Sequence, residues 1–245
     1  MRRFRAEKAV QQYSVVDALV AGLFDGEFTV AEVARGGDFG LGCGDHMDGE
    51  LVVLDGVFRL FHGDGTVTVL PPSETLAFAE VVPFQADSSE PLEAVADLAA
   101  LIEEVRARTV SENVFHAVRF EGRFGSLALR EARRQTKPYL PLAEAVHDQR
   151  EVTVTDAMGT LVGFVAPSFF QGVSVAGTHL HFVDASGGVG GHVLGLEGAT
   201  GELGIETYFG VSIRLPHSAA YLGADLEGGA EVDAAIRHAE SDHQR

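Results

Sequence analysis

ELVVLDGVFRLFHGDGTVTVLP, residues 50–71, constrains the fold more than any other stretch of the chain. Its two punctuations, Asp55-Gly56 and Gly63-Asp64-Gly65, each fall between runs of β-branched and aromatic residues. Such pairs supply the positive backbone torsions of hairpin turns, so the stretch predicts a meander of short antiparallel strands. The β-prone pattern extends from Phe39 to Phe84, with LAFAEVVPF as a further strand.

Helical spacing of apolar residues is confined to a few segments. Ser14–Phe24 reads as the first helix, with Ser14 as N-cap, Asp17 at N3 and Val15, Val16, Leu19, Val20 and Leu23 as its stripe. Val30–Val33 reads as a second, short helix. Pro91–Arg108 reads as a long packing helix, carried by Leu92, Val95, Leu98, Leu101, Ile102 and Val105 and capped by Ser88 or Ser89. Asn113–Leu129 returns to strand, with a turn at Glu121-Gly122. Lys137-Pro138 and Pro141 open a short helix to about His147. Val152–Val165 reads as a hairpin around Met158-Gly159. A histidine-rich hairpin, two more strands to Leu215 and a final helix over Glu231–Glu240 complete the chain. With so few long helices between strands, a doubly wound parallel sheet is disfavoured. The expected fold class is α+β: two β-rich halves with mixed or antiparallel sheets and a few packing helices. The expected division is an N-terminal α+β domain over 1–110 and a C-terminal β-rich metal-binding domain over 111–245 that carries the final helix.

Composition narrows the partners. The 36 acidic and 18 basic residues give a net charge of −18, a surface that repels phosphate backbones, so nucleic acid is not an expected partner. No apolar run approaches bilayer-spanning length, and Glu7, Lys8, Gln11, Gln12 and Asp17 interrupt any signal-like stretch near the N-terminus, so no membrane partner is expected. The single cysteine, Cys43, allows no internal disulfide, and the expected location is cytoplasmic. The exposed edges of a β-rich half make a homodimer the expected assembly.

THLHFVDASGGVGGHVLG, residues 178–195, carries the chemistry. Along a strand, residues i and i+2 share a face, so His179 and His181 project together while Leu180 and Phe182 point into the core. A hairpin centred between Ser186 and Gly187 sets position 181 opposite His192, with cross-strand Cβ atoms about 4.5–5.5 Å apart. Three imidazoles on one face can converge on a divalent ion, with zinc–nitrogen bonds of about 2.0–2.1 Å. A set of histidines without cysteine matches catalytic rather than closed structural zinc sites, although iron, manganese and nickel also accept imidazole. The plain alternative is a half-exposed hairpin that happens to be rich in histidine. The other histidines, His46, His62, His116, His147, His217, His238 and His243, have no mutual spacing that implies a site. On these residues alone the chain could be a metal hydrolase, another lyase or a non-catalytic metal-binding protein.

Several segments resemble the acetolactate decarboxylase family. GDFGLGCGDHMDGELVVLDG, FHGDGTVTVLPPSETLAFAEVVPF, NVFHAVRFEGRFGSLALREARRQTKPYLPLAEAV, GTLVGFVAPSFFQGVSVAGTHLHFVDASGGVGGHVL and ADLEGGAEVDAAIRHAE occur in the family's order and cover nearly the whole chain. His-Leu-His with the later Gly-Gly-His is the most specific element. The resemblance implies decarboxylation of 2-acetolactate to acetoin with a divalent ion, normally zinc, that chelates the keto and hydroxyl oxygens and stabilises an enediolate. By position it implies His179, His181 and His192 as ligands and Arg130, eight residues before Pro138, as the catalytic arginine. It further implies Glu50 of Asp-Gly-Glu and Glu240 of the tail as active-site carboxyls, either of which could deliver the proton that replaces carbon dioxide. Three features depart from the family's pattern: Cys43, in the substrate-binding stretch, stands where threonine is usual, Gly195 stands where aspartate is usual, and the turn Asp184 to Gly191 has lost the usual charged residues.

Overall fold

The computed structural model describes residues 8–145 and 149–226. In chain order the elements are β1 (Ala9–Tyr13), α1 (Val16–Val20), β2 (Phe28–Thr29), α2 (Val30–Val33), β3 (Phe39–Gly44), β4 (Glu50–Leu54), β5 (Val57–Phe61), β6 (Val67–Val69) and β7 (Thr75–Val82). They continue with β8 (Ser88–Asp97), α3 (Leu98–Arg108), β9 (Phe115–Ala132), α4 (Leu142–Ala145), β10 (Gln149–Ala166), β11 (Gly177–Asp184), β12 (Gly190–Tyr208), β13 (Gly210–Arg214) and α5 (Ala219–Leu222). The α+β class with two β-rich sheets is therefore the observed architecture. Among the described residues no helix is long and apolar enough to cross a membrane.

The first sheet runs β13-β1-β7-β3-β4-β5-β6, with β2 also on β7. It is mixed, because β13 joins β1 in parallel while the other ladders are antiparallel. The expected meander is present: Asp55 and Gly56 have φ of 51° and 76° between β4 and β5, and Gly65 has φ of 85° between β5 and β6. The second sheet runs β11-β10-β9-β12-β8 and is antiparallel throughout. An extra β11–β12 ladder closes β9, β10, β11 and β12 into a ring of four strands.

Alternation along these strands feeds two cores. Phe120, Leu161, Leu180 and Phe182 pack with Leu101 and Val105 of α3. Their neighbours Ala117, Val162, Phe164 and Val183 pack instead with Val10, Phe39, Leu41, Val52 and Phe61 of the first sheet. The two sheets thus lie face to face, with Phe39 and Phe164 in edge contact at 6.5 Å between ring centroids. His179 and His181 share the parity of Val183 and so face the first sheet.

Several boundaries differ from the sequence expectation, each for a physical reason. The helix expected over Pro91–Arg108 is strand as far as Asp97, and Asp97 rather than a serine caps α3 by accepting from Ala100 N. Leu92 and Val95 are both buried although three apart, because a bulge lets Ala199 and Gly201 of β12 pair with Val95 and Leu92. That bulge imitates a helical spacing. No turn occurs at Glu121-Gly122 or Met158-Gly159, where β9 and β10 run on through both dipeptides. There the glycines allow close strand approach: a Cβ on Gly122 would lie 2.1 Å from Thr200 O, and one on Gly159 2.3 Å from Val183 O. The return strand of the histidine hairpin continues to Tyr208 without a break.

The first helix is only Val16–Val20. Ser14 does not cap it but turns with φ of 69°, its backbone N–H donating to Arg214 O at 2.8 Å, and Gly22, at φ of 77°, ends the segment. Val30–Val33 forms as expected, with Thr29 and Glu32 in a capping box. The helix after Pro141 covers Leu142–Ala145, and the expected end at His147 and the helix over Glu231–Glu240 lie outside the described residues.

Candidate metal centre

Two rows of side chains, one from each sheet, meet at the site. In the first sheet Cys43 of β3 sits opposite Glu50 of β4, with Phe78 and Phe61 continuing the row on either side. In the second sheet His181 pairs with His192, and His192 pairs in turn with Arg130. The expected register of the hairpin, 181 opposite 192, is the observed one. Its turn is built by Asp184, whose carboxylate accepts from the backbone N–H groups of Ser186, Gly188 and Val189. Gly190 lets the hairpin press on the first sheet, since a Cβ there would stand 2.5 Å from the ring of Phe61.

The three imidazoles converge. Each offers a nitrogen such that all three lie within 4.8 Å of one another, and all three residues are buried. Ring centroids are 5.0 Å apart for His179–His181 and His179–His192 and 5.4 Å for His181–His192. His179 Nε2 and His192 Nδ1 approach to 3.1 Å. His181 Nδ1 donates to the backbone carbonyl of Leu51 at 2.8 Å. Because a carbonyl only accepts, this bond puts the ring proton on Nδ1 and leaves the lone pair on Nε2. His181 Nε2 is buried and makes no hydrogen bond, and the carboxylate oxygen Glu50 Oε2 stands 3.5 Å away.

Electrostatics keep two of these rings, His179 and His181, neutral. Burial, aided by the neighbouring His181 ring and the charge of Arg130, holds His179 well below the usual imidazole range. Burial likewise pushes His181 down to about 3, against the opposing effect of its bond to Leu51. Neutral imidazoles are metal ligands, and with one nitrogen from each of three buried rings within 4.8 Å of the others the donor set fits a divalent ion. Beside them Arg130 Nε donates to Glu50 Oε1 at 3.2 Å, both side chains being almost fully buried.

The cavity over the cluster is lined on its polar side by Cys43, Glu50, Arg130, His179 and His181. Its apolar side comprises Val16 and Leu19 of α1, Phe78, Leu142 of α4 and Val175. The structure thus gathers all the expected site residues except Glu240, which lies outside the described residues. A larger cleft, about 460 Å³, opens between Leu23, Lys137, Tyr139 and Tyr221 and holds none of the three histidines.

Sequence reasoning did not single out the apolar wall, whose members carry no chemical signature. It also passed over Asp25, Asp45 and His46, which come together at the surface. That group is already balanced: Lys137 Nζ and Tyr139 OH each donate to Asp25 at 2.6 Å, and Arg134 stands 3.7 Å from Asp45.

Fold and site together define a two-sheet, β-rich protein with a buried three-histidine centre able to hold a metal ion. The family model described as alpha-acetolactate decarboxylase matches residues 10–228. An alpha-acetolactate decarboxylase of Methanosarcina mazei is 37% identical over 228 residues, 93% of this chain and 79% of that one. One from Bacillus subtilis is 34% identical over 89% of this chain and 86% of its own. The crystal structure of alpha-acetolactate decarboxylase from Bacillus subtilis strain 168 superposes with a TM-score of 0.91 at 31% identity, covering 96% of this chain and all of that one. The chain belongs to the alpha-acetolactate decarboxylase family, and so to the carboxy-lyases.

Proposed function

We propose that the chain converts 2-acetolactate to acetoin and carbon dioxide at this centre, with His179, His181 and His192 holding a divalent ion, zinc by preference. The observation that carries this reading is the convergence of three buried imidazoles beside the Arg130–Glu50 pair. When bound, the ion supplies Lewis-acid polarisation of the ketone.

The remaining chemistry falls to the chain's own side chains. The bond from carboxylate to C2 breaks, and its electron pair delocalises toward the polarised ketone oxygen. Neutral histidines leave an ion its full charge, where thiolates would reduce it. Arg130 binds the substrate carboxylate through its planar fork, and the bond from its Nε to Glu50 sets the plane of that fork. Once carbon dioxide has left, a carboxylic acid must return a proton to C2. Glu50 is one candidate, supported by its position 3.5 Å from His181 Nε2, and Glu240 is the other. Cys43, across the strand pair from Glu50, contacts the substrate. The apolar wall of Val16, Leu19, Leu142 and Val175 receives the methyl groups and excludes water.

The test is one preparation assayed three ways: metal content, acetoin and carbon dioxide from racemic acetolactate with and without chelator, and ester and amide hydrolysis. Chelator-sensitive acetoin formation is expected. Hydrolysis without acetoin would favour a metal hydrolase, and bound metal without any turnover a non-catalytic member. Full turnover in both Glu50→Gln and Glu240→Gln would remove the proton-donor role from these two carboxyls. A cytoplasmic homodimer is part of the same reading. Among the described residues β6 and β13 end the first sheet with no further strand beside them, which supports an edge contact that light scattering can check.

A further inference from the structure

Away from the histidines, three polar side chains are buried together with no charged partner among the described residues. Gln12 is 0% exposed, and Glu80 and Ser174 are each 1% exposed. Gln12 of β1 and Glu80 of β7 are direct cross-strand neighbours, and Leu41 is the neighbour of Glu80 on β3. Ser174 Oγ donates to Glu80 Oε1 at 2.7 Å. Gln12 Nε2 donates to Ser14 O at 2.9 Å and to Val173 O at 2.7 Å. Those two carbonyls settle which end of the amide is nitrogen. The other end, Gln12 Oε1, is then a buried acceptor, and among the described residues it has no hydrogen-bond partner.

A buried acceptor without a donor is rare and costly. Here its direct neighbour is a carboxyl, and side chains so paired share a face with Cβ atoms about 4.5–5.5 Å apart. Were Glu80 ionised, two acceptors would face each other with no proton between them. One proton on Glu80 satisfies both groups. The groups that meet Glu80 on β1, β3 and the 171–175 segment are Gln12, Leu41 and Ser174, none of them charged. The acid that α1 brings to this region, Asp17, lies against Gly172, where an added Cβ would stand 2.6 Å from Asp17 Oδ1. Burial pushes the Glu80 carboxyl up to about 7, against the bond from Ser174.

We propose that Glu80 is held as a neutral carboxylic acid whose hydroxyl donates to Gln12 Oε1, and that this clasp positions the 171–175 strap that walls the histidine cavity. The strap is tied to the first sheet by the clasp itself, through Val173 O and Ser174 Oγ. It is tied to α1 by Val16 N–H donating to Val173 O at 3.2 Å and Asp17 N–H to Gly172 O at 2.7 Å. Val175, the next residue, lines the cavity with Val16, and the chain then enters β11 with its two histidines. Glu80 does not line the cavity, so it is a positioning residue. Ionisation would set Glu80 against Gln12 Oε1 and loosen the strap, and with it the wall that holds the substrate's apolar side. This last consequence rests on the cavity being the acetolactate site.

The experiment uses the full chain, metal-loaded, as wild type and Glu80→Gln, titrated from about pH 5 to 9. Infrared difference spectra of the two proteins read the protonation of Glu80 directly. Amide exchange of residues 171–176, expressed as protection factors, reads the strap. The expected result is a carboxylic-acid band in wild type that persists to neutrality and is lost toward the alkaline end. Strap protection should fall over the same range in wild type and stay level in Glu80→Gln. KM for acetolactate should rise about threefold over that range in wild type only, with kcat less affected. An ionised Glu80 at the acidic end, or strap protection with the same pH dependence in both proteins, overturns the proposal. If Glu80→Gln does not fold, Gln12→Leu removes the acceptor instead. Loss of the acid band should then move to lower pH, and an unmoved band overturns the clasp. The infrared and exchange readouts need no turnover, so they separate failure of the clasp from failure of the decarboxylase reading.

Discussion

Arg130 Nε donates to Glu50 Oε1 at 3.2 Å, joining β9 of one sheet to β4 of the other through side chains only 5% and 6% exposed. Breaking such a pair strands a buried charge, which costs about 3–5 kcal/mol. Arg130→Met should therefore destabilise the metal-free protein by about that amount in urea unfolding, and Arg130→Met with Glu50→Gln should recover part of it. Arg130→Lys keeps the charge but loses the planar fork, so kcat should fall by about 10²–10³ while the unfolding midpoint moves little. A lysine variant with wild-type turnover would remove the carboxylate-binding role.

Gly191 illustrates how the hairpin is held in place. Its φ is 147°, and a Cβ there would lie 2.5 Å from Arg130 O. Gly191→Ala must push β12 away from β9 one residue before His192, on the row that connects His181, His192 and Arg130. A stability loss of about 1–3 kcal/mol is expected, together with reduced metal content by atomic absorption. Gly198→Ala is the control: its φ is 66° but an added Cβ meets nothing within 4 Å. It should lose stability to backbone strain alone and keep its metal.

The metal hairpin was legible in the sequence because both of its determinants are local. The side-chain period of a strand is two, and the turn length can be counted, so the pairing of His181 with His192 follows from spacing. Glu50 and Arg130 were reachable only through family resemblance, since their meeting depends on how two sheets pack, which leaves no local period. Gly122 and Gly159 show the converse failure. Their dipeptides look like turns, yet the glycines serve neighbouring strands that pass too close for a side chain. Leu92 and Val95 failed for a related reason, a bulge that reproduces helical spacing inside β8.

Cys43 tests the cavity's polar wall. It is 7% exposed, lies opposite Glu50 and lines the histidine cavity. A thiol is a weak donor, whereas a threonine hydroxyl of similar size donates well. If residue 43 bonds the substrate, Cys43→Thr should raise kcat/KM by up to about tenfold, the equivalent of one ordinary hydrogen bond. Metal content and unfolding midpoint should stay unchanged. Unaltered kinetics would mean that this wall does not touch the substrate.

The His62–Asp48 pair gives the molecule a stability term with a defined pH window. His62 Nδ1 stands 3.1 Å from Asp48 Oδ1, and Nε2 bonds Thr68 Oγ1 at 3.0 Å. The bond to Asp48 raises His62, outweighing the effect of burial. For Asp48 burial works upward, but the bonds to His62 and Arg134 prevail and hold it low. A histidine raised on folding binds its proton more tightly when native, so its contribution is complete below the unfolded value of about 6.5 and fades as pH rises through the folded value. A depressed aspartate contributes above the unfolded value of about 3.9 and loses that contribution as pH falls through its folded value. The pair therefore stabilises most between these limits. His62→Gln should lose up to about 1 kcal/mol near pH 5.5, a modest figure because both side chains are partly solvated. In thermal unfolding that corresponds to about 2–4 °C for a chain of this size, shrinking toward zero by about pH 9. An equal deficit at both pH values would mean that the imidazole acts through packing against Thr68 rather than through its charge.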